Sequence, residues 1–497
     1  MPSAGSDGRG GGSRAGARAG ARHAIVVGSG PNGLSAAIEL ARAGWSVVVR
    51  EAADVPGGGV RSAALTLPGY LHDLGSAVHP FAVSSPFFRS VPLAAHGVEW
   101  IHPPVAMAQV MDDGPTVLLY RDLQQTADGL DGRDGRRYRA MMEPFAERWV
   151  PFCDDLLAPT APVRLPRHPL LMARFARYGL PPAATIARTS FTGARARALF
   201  GGLAAHSILP LTWAGSAAFG LVLGAAAHAV GWPIPRGGAG TVSRALVSYL
   251  ESIGGTVVTS ARVRSLTELP PTDALMLDLT PRQVVAVAGD RLAARERGAL
   301  SRFRYGPGAF KVDWALSAPI PWRDPMVAQA ATVHVSGSLD EMVASEAAAW
   351  HGTVSDRPFV LVVQPSLFDP ARAPAGCHTA WAYCHVPNGS DADMLARIEA
   401  QIERFAPGFR DVIAARSVMS PAGLESYDAN LVGGDLGGGA NTLGQIIFRP
   451  VPRRVPYATG VPGLFICSAS TPPGGAVHGM CGYHAARAAL AAAGDAS

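Results

Sequence analysis

"HAIVVGSGPNGLSAAIELARAGWSVVVRE" (23–51) is the stretch from which the fold is read. Ile25–Val27 forms a short β-branched strand, and Gly28-Ser29-Gly30-Pro31-Asn32-Gly33 a glycine-rich turn. Leu34–Arg42 follows as a helix stopped at Gly44, and Trp45–Val49 as a second strand that delivers Glu51. Strand, G-x-G-x-x-G, helix, strand and acid in this order predict a βαβ dinucleotide-binding unit. Gly28 permits the tight turn, and Gly30 lets the backbone approach a pyrophosphate. Pro31 and Asn32 complete the turn at the helix N-terminus, which attracts that anion. Gly33 lets helix and strand pack closely, and Glu51 can accept hydrogen bonds from ribose hydroxyls.

Outward from this stretch, the composition is that of a globular protein. The chain has 497 residues, 48% hydrophobic and only 16% charged, enough for two or three domains with real cores. The formal net charge of +5 is concentrated in residues 1–22, where Arg9, Arg14, Arg18 and Arg22 stand against Asp7. The remainder is close to neutral, so no nucleic-acid partner is expected. That N-terminal stretch has no apolar run and reads as a flexible tail, not a secretory signal. The five cysteines are odd in number and widely spaced, which suits a reducing compartment and a cytoplasmic protein. In "CHTAWAYCH" (377–385), Cys377 and Cys384 are an odd number of residues apart. On a strand they point to opposite faces, so no metal site is expected. The uncharged run from Ile208 to Ile234 is long enough to span a bilayer. Its glycines, His228 and mid-chain position favour a buried helix or one lining an apolar tunnel. Peripheral membrane contact and the oligomeric state are left open.

Three further segments bear on the cofactor. In "DVPGGGVRSAALTLPGYLHDLGSAVHPF" (54–81), Gly57-Gly58-Gly59 and Arg61 closely follow the second strand. A plain NAD domain has no need of such a cluster, whereas a flavin dinucleotide runs on past the first helix. "VPGLFICSASTPPGGAVHGMCGYHAARAAL" (461–490) reads as a strand, Leu464–Cys467, a loop with Gly474 and Gly475, and a helix from about Gly479. "GWPIPRGGAGTVSRALVSYLESIGGTVVTSARVRSL" (231–266) places Arg236-Gly237-Gly238 before a helix, Thr241–Ser252, then strands over Thr256–Ser260 and Arg262–Leu266.

Together these segments resemble the phytoene desaturase and amine oxidase superfamily of FAD enzymes. Within it they resemble the desaturase-like proteins typified by pyridine nucleotide-disulfide oxidoreductase domain-containing protein 2. The resemblance extends over nearly the whole chain from His23. It implies non-covalent FAD held by the 28–33 turn, Glu51, Gly57–Gly59 and Arg61. It also implies contacts from Gly75, Ser76 and Ala77 of the "DLGSAVHP" segment, from the backbone of Val263, and from Ser468, Gly474, Gly475 and Val477 of the closing motif. Ser468 stands where the family usually has glycine. The implied fold is α/β (α+β overall), with a Rossmann-type FAD-binding domain built from 23–105, 231–300 and 451–497. The substrate domain is inserted as 106–230, whose 136–230 part looks helical, and 301–450, whose 305–385 part alternates like strands, giving a mixed sheet with a helical cap. No second G-x-G-x-x-G occurs in strand–helix context and no C-x4-C pair exists, which excludes the disulfide-reductase branch of flavoenzymes.

"GAFKVDW" (308–314) holds Lys311, the one lysine beside 42 arginines. Phe310, Val312 and Trp314 share one strand face, and Lys311, Asp313 and Ala315 the other. The layout of Lys311 with Pro321-Trp322 resembles that of amine oxidases, where a lysine holds a water against flavin N5. A pair with Asp313 on a solvated face, or a buried structural pair, are the alternatives. His79 is the second catalytic candidate, since its segment passes near the isoalloxazine in the family. His478, His385 with Tyr383, and Cys481 with a thiol acidified at a helix start are weaker ones. The expected activity is hydride removal from an apolar or amphipathic small molecule to flavin N5. A flavin-bound scaffold with little turnover and a non-redox flavin-assisted isomerase are the other readings.

Overall fold

The computed structural model describes residues 22–159 and 165–495. The expected tail lies outside the described residues, except for Arg22, which pairs with Asp495 at 3.3 Å and lies over Trp45.

Among the described residues, two large sheets organise the fold, beside two sheets of two strands each. The first has five parallel strands in the order Leu464–Ile466, Ala274–Leu277, His23–Val27, Ser46–Arg50, Thr256–Val258. Its central pair is the βαβ unit, with the helix Pro31–Arg42 between the strands. Proline at the first helical position starts that helix three residues before Leu34, since its fixed φ suits N1 and its missing N–H is no loss there. The helix Met480–Ala492 packs against it so closely that a Cβ on Gly482 would lie 1.7 Å from the Asn32 carbonyl oxygen.

The strand expected over Arg262–Leu266 does not form. Ser260 turns the chain with φ +52°, and the Ala261 N–H is taken by the Glu51 carbonyl. Residues 262–265 therefore run on without a ladder partner to the 3₁₀ turn Leu266–Glu268.

The second sheet is mixed and has seven strands: Ile413–Met419, Gly308–Leu316, His378–Val386, Val360–Val363, Ala330–Val335, Val105–Val110 and Val117–Tyr120. One face packs Phe310, Val312 and Trp314 against Ile398, Ile402 and Phe405 of the helix Leu395–Phe405. The other face carries Lys311, Trp381 and Tyr383 and looks toward the first sheet and the helices. The strand-like region 305–385 also contains a helix, Leu339–Trp350, which the alternation reading missed. Ser338 caps it by accepting from the Glu341 N–H, with Asp340 and Glu341 in its first turn.

Among the described residues, six helices between Gly132 and Ala229 form the cap. Within the apolar run lies the helix Ser216–Ala229, whose 14 residues are mostly buried. Among the described residues no helix is long and apolar enough to cross a membrane.

Candidate active site

The C-terminal ends of the parallel strands open into a cavity of about 620 Å³, within the range of small-molecule and cofactor sites. At one end lies the glycine turn. Gly28 has φ +100°. A Cβ on Gly33 would sit 2.2 Å from the Gly28 carbonyl oxygen, so that position accepts no side chain; one on Gly30 would sit 2.7 Å from Asp278 Oδ2, so the Asp278 side chain would have to move. Gly28, Gly30, Pro31 and Asn32 line the cavity, whereas Gly33 lies behind it and donates its N–H to Asp278 Oδ2 at 2.9 Å. Glu51 lines the same end. Its carboxylate is oriented by the Ser29 N–H at 2.9 Å and the Ala53 N–H at 2.8 Å.

Gly58 and Gly59 face the cavity, while Gly57 is set back, donating to Ser29 Oγ at 3.2 Å. Arg61 lies over the Tyr427 ring at 4.0 Å and donates to the Gly58 carbonyl at 2.9 Å. Gly75, Ser76, Ala77, Val263, Gly475 and Val477 all reach the wall. Ser468 does too, but its hydroxyl turns away and donates to the Leu279 carbonyl at 2.8 Å, so the side chain leaves the wall open. Gly474 does not reach it. A Cβ there would meet the Arg449 guanidinium at 2.7 Å, and its carbonyl accepts from Cys481 Sγ.

The other end is walled by Trp381, Tyr383, Leu361, Val363, Trp232 and Phe81, with His206 and Thr332 as polar points. The Trp381 and Tyr383 rings stack 6.0 Å apart at 18°. Lys311 enters here, with its ammonium 5.2 Å from the Trp381 ring centre. It is 4% exposed and ion-paired with Asp313, which is 0% exposed, so the solvated-face reading is overturned. Both faces of Gly308–Leu316 are covered, which the alternation alone could not reveal. Trp322 is not its aromatic neighbour. It packs on the opposite face of the sheet and donates to Gln364 Oε1. Trp381, one strand over, stands beside the lysine instead.

His79 lies in the wall beside Trp100, and burial holds its imidazole down at about 4, so it is neutral at pH 7. His478 is out of the cavity. It accepts from the Met480 N–H at 3.0 Å, and burial holds it down at about 3. His385 pairs with Glu346 at 2.8 Å under the helix Leu339–Trp350, and of its strand face Tyr383 and Trp381 are the residues that line the cavity. Burial pushes the Cys481 thiol up to about 12, which overturns the acidified-thiol expectation. Cys384 is buried and Cys377 half-buried, and the described residues contain no cluster of three metal-ligating side chains.

Sequence reasoning missed Asp278. It ends the strand Ala274–Leu277, and burial pushes its carboxyl up to about 7, helped by Asp428 and Glu51. A polar residue directly after a buried strand, in "ALMLDLTP" (274–281), was the available signal. Trp381 and Tyr383 were also missed as a pair, though their i, i+2 spacing places them on one face.

The arrangement fits a dinucleotide. A helix N-terminus and a carboxylate flank a groove with no side chain on Gly30 or Gly58, and the buried Asn32 Oδ1 has no partner within the protein. Comparison with known proteins agrees. The family described as an NAD(P)-binding Rossmann-like domain matches residues 26–90. Pyridine nucleotide-disulfide oxidoreductase domain-containing protein 2 of Mus musculus is 26% identical, with 93% of this chain and 92% of that protein aligned. The phytoene desaturase (neurosporene-forming) of Cereibacter sphaeroides is 45% identical over 58 residues, which is 12% of this chain and 11% of the desaturase. The chain is similar to oxidoreductases of the desaturase type. The fold of this oxidoreductase is also that of cyclohexylamine oxidase from Brevibacterium oxydans, with a TM-score of 0.56 at 13% identity, covering 96% of this chain and 99% of that one.

Proposed function

We propose that this oxidoreductase binds FAD non-covalently and removes hydride from an apolar or amphipathic small molecule. The observation that carries this reading is the continuity of the cavity. One space joins the Gly28–Gly33 turn and Glu51 to the aromatic wall at Trp381 and Tyr383. When bound, the flavin supplies the two-electron acceptor, and the protein supplies everything else.

The backbone at Gly30–Asn32 would hold the pyrophosphate and Glu51 the ribose, and the 74–79 segment lines the approach to the aromatic end. Leu361, Val363, Trp381 and Phe81 exclude water and favour a substrate with a large apolar surface. Lys311 is the proton-handling group. It holds a charge in a dry wall and can orient a water at the reacting end, which a planar guanidinium does poorly. His79, neutral and buried, shapes the wall beside it. A cytoplasmic protein with peripheral membrane contact is consistent with an apolar substrate. Turnover separates this reading from a flavin-bound scaffold, and a change in product mass separates it from an isomerase.

Denaturation of the purified protein is expected to release a yellow supernatant with the mass of FAD. Anaerobic mixing with lipid, terpenoid and amine pools is expected to bleach the flavin band with one class. A colourless protein, FMN, or colour retained on the precipitated chain contradicts the cofactor assignment. A flavin that no pool bleaches supports the scaffold.

A further inference from the structure

The cavity wall behind Lys311 is a file of buried polar groups that reaches the surface. Lys311 is ion-paired with Asp313 through Oδ2. On its other side, Asp313 Oδ1 faces His72 Nδ1 at 3.5 Å. Neither of these two atoms has a hydrogen-bond partner, and both residues are 0% exposed. The remaining ring nitrogen, His72 Nε2, meets Thr66 Oγ1 at 2.8 Å, and Thr66 is half-buried in a surface segment beside exposed Leu67.

Two bare buried acceptors facing each other are costly, and one proton between them removes the cost. The surrounding charges call for the same proton. His72 sits on the short strand His72–Asp73, and Asp73 is paired with buried Arg372, which also holds Asp369 at 3.1 Å. Two cations, Lys311 and Arg372, therefore stand against three carboxylates, Asp313, Asp73 and Asp369.

We propose that Lys311, Asp313, His72 and Thr66 form a proton relay between the cavity and solvent. The proposal rests on the flavin reading above. Oxidation of a substrate to a double bond releases a hydride, which the flavin takes, and a proton, for which the chain must supply a route. Lys311 gives one proton to Asp313 Oδ2 and takes the substrate's in its place. Asp313 releases a proton from Oδ1 to His72 Nδ1, and the Nε2 proton passes to Thr66 Oγ1, whose own hydrogen leaves to water. One proton moves outward and no electrons move along the relay.

The groups facing the imidazole set where that proton rests. Burial and then Lys311 hold His72 down to about 4, with Asp73 pulling it up and Arg372 down. Burial raises Asp313, with Lys311 opposing and Asp73 assisting. Both shifts favour the uncharged forms, so a proton handed to the imidazole is passed on without staying there.

The test uses the flavin-loaded protein, photoreduced without substrate in weakly buffered solution containing a pH indicator. Bleaching of the flavin and exchange of protons with bulk water are read separately. His72→Gln keeps a hydrogen bond to Thr66 but has no second ring nitrogen, and Thr66→Val removes a half-buried hydroxyl. Both are expected to keep wild-type flavin content and to slow the proton phase by roughly 10²-fold, the lower range for a positioned acid–base group. A proton phase that keeps pace with bleaching in both variants overturns the relay. A colourless wild-type protein removes the flavin reading itself and the relay with it. A retained flavin with an unaltered proton phase removes the relay alone.

Discussion

The two ends of the cavity are built by different means. The dinucleotide end is mostly main chain: the Gly28–Asn32 turn and positions where a Cβ would collide, with one carboxylate, that of Glu51. The far end is side chain: a stacked Trp381–Tyr383 pair, one lysine, and a cluster of buried charges behind it. A main-chain site tolerates no added atom but needs no particular partner. A side-chain site tolerates small changes in volume but fails when one member of a charge pair is removed. The largest effects of substitution should differ in kind accordingly.

At the main-chain end, Gly30→Val is expected to abolish flavin retention through gel filtration while leaving a folded apoprotein. A bound flavin in that variant would break the assignment of the turn. At the side-chain end, Arg372→Met removes the partner of Asp73 and Asp369, all three groups being fully buried. A loss of about 3–5 kcal/mol in unfolding free energy is expected, the usual cost of leaving a buried charge uncompensated. Denaturant titration reads it.

Lys311→Met should show both a stability loss and a rate loss. Asp313 is left buried without its cation, and flavin reduction should slow by roughly 10²–10⁴-fold. Adding Asp313→Leu in the same chain is expected to restore stability but not rate. Recovery of both would reduce Lys311 to a structural partner.

The carboxyl of Asp278 sharpens the comparison, because it is a side chain placed inside the main-chain site. Its value in the folded protein, pushed up to about 7, lies above its ordinary 3.8. The folded state therefore binds the proton more tightly than the unfolded state between these values, and stability falls as pH rises from about 4 to about 7. Asp278→Asn is expected to flatten that decline in thermal melts of the flavin-free protein. The smallest effect belongs to the surface: Glu143→Gln, which breaks an exposed i, i+4 pair with Arg139, is expected to change stability by less than about 0.5 kcal/mol.

The same division explains what was legible in the sequence. The βαβ unit and closing motif could be read because glycine spacing reports backbone geometry directly. Gly33, Gly57 and Gly474 are set behind the wall, since spacing marks where the chain bends and not which atoms face the groove. Lys311 stood out by composition, but its surroundings did not. Period-two alternation assigns faces and cannot say that both faces of Gly308–Leu316 are covered, or that its aromatic neighbour is Trp381 from the next strand and not Trp322 eleven residues on. The lapse at Arg262–Leu266 has a similar cause: a β-favouring run forms a strand only where an open edge accepts it, and after Ser260 the chain has left that edge.

The parallel sheet has a consequence for synthesis. His23–Val27 pairs with Ala274–Leu277, which pairs with Leu464–Ile466, and the first helix is closed over by Met480–Ala492 through the contact at Gly482. Contacts of such long sequence separation form late, after the loops between them have been paid for in entropy. During translation the first βαβ unit therefore emerges with an uncovered helix and an open sheet edge, and stays so until residues 464–492 leave the ribosome. A nascent chain stalled before residue 464 should remain in the hands of chaperones, and cofactor capture becomes a signal that synthesis has passed the helix Met480–Ala492.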